Sequence, residues 1–389
     1  MHDMWLRNWR AGKTQSITCY DLSSAFDTLN IDIFTSKLKI YGFCEKSRRW
    51  FSSYLSERKK VVLVGASLSK PVTTSVGSPQ GAVLSPTCFL ILIADIGLWS
   101  KSEIFGYADD TSSTLAHSDV EVLLKSCEEE AQKMLDFMSI NRLKANDDKT
   151  GIVIIRKNKS DDTLTIKIGS EDIVEKNSQK LLGITVDKNL KWESHIKNLV
   201  RKLNFRLFTL RRIKEKIPNS LLKSVAEAIF MSHIRYALPL YCPVQIDEDC
   251  PISGSITDLK KVFNDCLRLL EGKVISDQVS IKSMLDDLGL LSVNQLAAET
   301  RLLEAWKTVH QEDYCMKDIL KLRHKGSYNT RSSNVDFLDT GVDDVYGSAG
   351  FVNTTAKLWN KSPNSVKDVP TLCIAKREIR NFVKEKIPI

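Results

Sequence analysis

The chain has 389 residues, of which 42% are hydrophobic and 27% charged, with a formal net charge of +8. This composition excludes global disorder, and the length leaves room for two or three domains with a sizeable core. The basic surplus suits a polyanionic partner, as it does many unrelated proteins.

Residues 17–20 are β-prone and end at Asp21, and a helix-like stretch follows over residues 31–41. Gly77-Ser78-Pro79-Gln80-Gly81 reads as a loop whose glycines admit backbone conformations closed to other residues and a close approach to a ligand. The apolar run 88–99 predicts a helix buried nearly all round; it is too short to span a membrane and contains Asp95. Residues 102–108 and 111–116 predict the arms of a hairpin with Asp109 and Asp110 at its tip. Strands are predicted again over 164–168 and 180–186. From Trp192 the pattern turns helical, with helices over 220–231, 256–270 and 293–311 and a loop around Pro251, Ser253 and Gly254. Beyond about residue 325 the periodicity breaks up, and that stretch carries no assignable function.

Adjacent carboxylates repel and shift each other's pKa unless a cation lies between them, so Asp109 and Asp110 on a rigid turn make a natural seat for a hard divalent ion. Taken alone, the pair also reads as a polar hairpin tip. The balance is tipped by Asp21, an acid at the end of a strand and before a helix, placed to reach a neighbouring hairpin across a sheet.

Asp21-Leu22-Ser23-Ser24-Ala25-Phe26-Asp27, then Ser78-Pro79-Gln80-Gly81, then Tyr107-Ala108-Asp109-Asp110 stand in the order found in reverse transcriptases. The first phrase and the alanine of the last resemble the non-LTR, LINE-type retrotransposon branch. Leu143-Lys144-Ala145-Asn146-Asp147-Asp148-Lys149-Thr150 resembles the family's next motif, and Leu181-Leu182-Gly183-Ile184 its primer-gripping strand. Ala356-Lys357-Leu358-Trp359-Asn360-Lys361-Ser362-Pro363 is similar to a tail motif of these elements, with Ser362 where leucine is usual.

The resemblance implies an α+β fold: a right-hand polymerase palm, an antiparallel sheet with packed helices, over residues 1–190; a helical thumb over 191–300; and a C-terminal region of unknown function over 301–389. It implies an RNA-directed DNA polymerase that adds deoxynucleotides to a primer 3′-hydroxyl, with an RNA template, a DNA primer and deoxynucleotide triphosphates as partners. Asp21 and Asp109 would hold two Mg2+ ions, with Mn2+ as a substitute, and Asp110 would support the turn or share a metal. Phe26 matches the position that screens the sugar 2′-position, although on residues alone it reads as core. Gln80 would touch nucleotide or template, Gly81 would keep the backbone close, and Lys149 matches a proton donor to pyrophosphate or stands as a surface lysine. Leu182 and Gly183 would grip the primer. Asp27 reads equally as a turn or helix-capping residue.

Lys197, Arg201, Lys202, Arg206, Arg211 and Arg212 interleave with Leu199, Leu203, Phe205, Leu207, Leu210 and Ile213, which predicts an amphipathic helix with a basic face. In the family this would be the thumb, lying along template–primer phosphates. Nine cysteines, at 19, 44, 88, 127, 242, 250, 266, 315 and 373, form no Cys-x-x-Cys pair, so no structural zinc is expected. Their odd number and the want of a signal sequence or membrane span predict an intracellular, reducing setting, nuclear or cytoplasmic. Only twenty residues precede Asp21, too few for the fingers the family places there. The expectation is therefore an N-terminally truncated polymerase or, alternatively, a catalytically inactive nucleic-acid-binding remnant of one.

Overall fold

The structure, a computed structural model, describes residues 1–22, 24–146, 150–156, 163–169, 171–245, 254–322, 336–337 and 350–389. It divides into two compact units: Asn8–Leu190, and Met1–Arg7 with Lys191–Ile389. Helix α1 (His2–Arg10) opens the chain.

The unit Asn8–Leu190 is built on β1 (Thr14–Tyr20), all seven residues of which are buried. Helices α2 (Ile31–Ile40) and α3 (Glu45–Leu55) follow, then the short strands β2 (Arg58–Lys60), β3 (Leu63–Val64), β4 (Ser67–Leu68) and β5 (Val72–Thr74). Asn30, and not Asp27, caps α2: its side chain accepts from Ile33 N at 3.0 Å. The apolar run 88–99 is not one buried helix. It splits into α4 (Ser85–Ile93) and α5 (Ile96–Trp99), and Leu90 and Leu98 are 52% and 89% exposed. The cause is Lys37, whose ammonium donates to Leu92 O at 2.7 Å and pairs with Asp95 at 2.5 Å, holding the break open.

Strands β6 (Glu103–Tyr107) and β7 (Asp110–His117) form the expected hairpin, but its tip is Ala108 and Asp109, with Asp110 inside the strand pairing and not at the tip; α6 (Val120–Ile140) leads to β8 (Gly151–Ile155). The sheet order is β6-β7-β1-β8, antiparallel throughout. Leu123, Cys127, Ala131, Met134, Phe137 and Met138 line one face of α6 at helical spacing, in one core with Tyr20, Ile152 and Ile154 of the sheet. Two hairpins complete the unit, β9 (Thr165–Ile168) with β10 (Glu171–Val174) and β11 (Ser178–Leu181) with β12 (Ile184–Asp187). The single strand expected over 180–186 is thus two arms, turned at Leu182 and Gly183 with φ of 48° and 81°.

The second unit is helical: α7 (Glu193–Ile213), α8 (Asn219–Ala226), a π-turn over Glu227–Met231, α9 (Ser232–Arg235), α10 (Leu238–Tyr241), α11 (Gly254–Glu271), α12 (Ile281–Leu288), α13 (Val293–His310), α14 (Phe351–Lys361), α15 (Asn364–Lys367) and α16 (Leu372–Lys386). Residue 300 falls inside α13, which packs on α10, α14 and α16. The tail motif lies in and just after α14. Trp359 is fully buried against Phe337, and Asn360 brackets the main chain of Phe337, accepting from its N at 2.9 Å and donating to its O at 3.0 Å. Ser362 donates to Trp359 O at 2.6 Å, so the hydroxyl ties down the helix end where the family has leucine. No helix among the described residues is long and apolar enough to cross a membrane.

Candidate active site and nucleic-acid interface

Strand register sets the site. Tyr20 of β1 pairs with Thr111 of β7, and one step beyond lie Asp21 and Asp110. Tyr107 pairs with Asp110 across a two-residue turn of Ala108 and Asp109, with Ala108 at φ 53°. All three carboxylates therefore stand at one end of two neighbouring strands, with Asp110 exposed and Asp21 and Asp109 half-buried. Asn146 holds Asp21 twice, donating its main-chain N to Asp21 O at 2.8 Å and its Nδ2 to Asp21 Oδ2 at 3.1 Å.

Among the described residues no group of three His, Cys, Asp or Glu side chains is placed so that it could hold a metal ion. The donors on offer are carboxylates, hard oxygen ligands of the kind Mg2+ takes alongside water and substrate phosphates. Cys19, next on that face, does not compete: burial, then the charge of Asp110, pushes its thiol up to about 12, and a protonated thiol is a poor ligand. In chemical type, though not as an assembled group of three, these oxygen donors suit a hard divalent ion.

The 77–81 loop is docked on the turn after Asp21. Gly77 N donates to Leu29 O and Ser78 N to Phe26 O, both at 2.7 Å, and Gly77 has φ +83°. Gln80 donates to Asp27 Oδ2 at 2.8 Å, and Lys60 lies 3.9 Å from Asp27 Oδ1. Asp27 is therefore the anchor of the loop. Phe26 is half-buried and packs on Phe89 at 5.4 Å. Gly81 has φ +79° with open space where a Cβ would stand, so its conformation, not crowding, calls for glycine. Lys149, with Asp147 and Asp148, lies outside the described residues.

On α7 of the second unit, Leu199, Leu203, Leu207 and Leu210 are buried, while Lys197, Arg201, Lys202, Arg211 and Arg212 are exposed and Arg206 half-exposed. None of these six bases pairs with a carboxylate among the described residues. Phe205, expected among the apolar contacts, is 64% exposed, and Phe208 is 54% exposed. The Arg206 guanidinium lies 6.0 Å from the Phe205 ring and that of Arg212 5.8 Å from Phe208. Periodicity alone missed this exposed i, i+3 phenylalanine pair inside a basic stripe, and only the flanking charge hinted at it.

Residues 2–186 match the family model for reverse transcriptases (RNA-dependent DNA polymerases). This part of the chain is a reverse transcriptase domain. It is homologous to a probable RNA-directed DNA polymerase from transposon BS of Drosophila melanogaster, 29% identical over 209 residues, which cover 49% of this chain. The chain spans 22% of that relative's length. Among solved structures, telomerases from Candida tropicalis and Candida albicans, each in complex with the TWJ fragment of telomeric RNA, align at TM-scores of 0.33 and 0.32. Both are 13% identical; the alignments cover 75% and 74% of this chain and 52% and 48% of theirs. The reverse transcriptase family is one of nucleotidyltransferases, and its members use divalent metal ions.

Proposed function

We propose that the chain is an RNA-directed DNA polymerase, retrotransposon-derived, whose palm is the β6-β7-β1-β8 sheet with its helices and whose thumb includes α7. The observation that carries this is the placement of Asp21 and Asp110 one step past a common strand pair, with Asp109 in the turn between β6 and β7. Asp21 and Asp109, with Asp110, would hold two Mg2+ ions. Bound there, the ions supply activation of the primer 3′-hydroxyl and neutralise charge on the transferring phosphoryl group.

The chain's own groups orient the reactants. Asn146 fixes the Asp21 carboxylate. Phe26, held by Phe89, presents a ring that rejects a ribose 2′-hydroxyl by sterics, which favours deoxynucleotides. The Gln80–Asp27 pair holds the 77–81 loop beside that ring, ready to meet nucleotide or template. The Leu182–Gly183 turn serves as the primer grip, and the α7 bases run along template–primer phosphates.

The test is primer extension on poly(rA)–oligo(dT) with Mg2+ and dTTP, with Asp109→Asn alongside. Extension by the wild-type chain that vanishes in the variant is expected. A chain that binds the duplex but extends nothing fits the alternative, a nucleic-acid-binding remnant. Extension retained in Asp109→Asn removes the role given to Asp109.

A further inference from the structure

Gly151 opens β8 and pairs with Cys19 of β1, which pairs on its other side with Ser112 of β7. Directly paired residues, and residues two apart on a strand, point to the same face of a sheet. Gly151 therefore lies on the face of Cys19, Ser112 and Asp110, and of Asp21, two residues after Cys19. A Cβ added at Gly151 would stand 2.6 Å from Lys176 Nζ and 3.0 Å from Gln179 Oε1. The Lys176 ammonium thus occupies the space that this glycine leaves open on the carboxylate face.

The stem is anchored and the head is not used up. Lys176 N donates to Ile152 O at 2.8 Å, fixing the backbone against β8. Nζ donates to Thr150 O at 3.4 Å, one acceptor for a group with three donors. No carboxylate lies within 4.0 Å of Nζ among the described residues, so this is not an ion pair closed on itself. Lys176 is half-buried. An ammonium on the same sheet face as the acids suits the anion that a polymerase site there would receive.

We infer that Lys176 binds a phosphate oxygen of the substrate at the carboxylate end of the sheet. The inference rests on the polymerase reading of that end. The phosphate belongs either to the primer–template backbone or to the nucleotide triphosphate.

The experiment uses the full chain and Lys176→Met, which keeps the stem and removes the charge, with Lys176→Arg as the conservative rescue. Gly151→Ala, which pushes the ammonium aside, is an independent second variant. Duplex affinity is measured against KCl concentration by fluorescence anisotropy, dTTP affinity by calorimetry, and folding by thermal melt. If the backbone is the source, the salt slope of duplex binding falls by about one in Lys176→Met and Gly151→Ala and is restored in Lys176→Arg. If the triphosphate is the source, dTTP binds about tenfold more weakly with the duplex slope unchanged. Wild-type values for both in a folded Lys176→Met or Gly151→Ala overturn the proposal. A wild-type chain that binds both ligands yet extends no primer fails the polymerase reading alone, because the Lys176 comparison is read in binding.

Discussion

Asn146 reaches Asp21 across 125 residues of sequence and donates to it through both main-chain and side-chain amides. The side-chain bond fixes one carboxylate oxygen, Oδ2, in place. Asn146→Ala keeps the main-chain bond and releases the carboxylate, so primer extension falls about tenfold to a hundredfold, the usual cost of losing a group that orients a metal ligand. Titrating Mg2+ checks it: the requirement for the ion rises in the variant.

Gly77 combines φ +83° with a site where a Cβ would stand 2.8 Å from Asp27 O. The contact is backbone, which cannot swing away. Gly77→Ala destabilises the Asn8–Leu190 unit by roughly 1–3 kcal/mol from strain in the left-handed region alone. Urea unfolding followed by circular dichroism reads this, and a midpoint equal to wild type refutes it.

Phe205 and Phe208 present rings beside arginines on the exposed side of α7. Replacing both by serine removes stacking area and no charge. Binding to single-stranded RNA weakens by about 1–3 kcal/mol per base stacked while the salt slope stays constant. Reversing charge at Arg211 and Arg212 does the opposite, flattening the slope.

Much of the unit carrying the acids is readable from sequence because its signals are local: strand, acid, helix, then strand, acid pair, strand. The α+β order and the hairpin of β6 and β7 follow from residues a few positions apart. What escaped detection is set by distant partners. The break at Asp95 depends on Lys37, 58 residues earlier. The turn at Leu182 and Gly183 hides inside an apolar run. The exposure of Phe205 depends on which stripe of α7 its neighbours cover. Lys176 has no motif at all; its position follows from the register that sets Gly151 beside Cys19.

His2 and His195 are both buried, and desolvation lowers each from 6.5 to about 4. The unfolded chain then binds more protons than the folded one between those values, so stability falls as pH drops from 6.5 towards 4. The loss is on the order of 1–3 kcal/mol for each histidine. Thermal melts at pH 7.5 and 4.5 measure it, and His195→Phe, which keeps a ring against Tyr241, narrows the gap between them.

The acids come from strands that become neighbours only when the sheet closes in one register. Sliding β1 by a single residue against β7 would send Asp21 to the opposite face and separate it from Asp110. On the proposed polymerase reading, a half-assembled chain offers no seat for a divalent ion, and ion binding would be coupled to completed folding. On that reading the domain polices itself: before β1 and β7 are paired it has no chemistry to misuse.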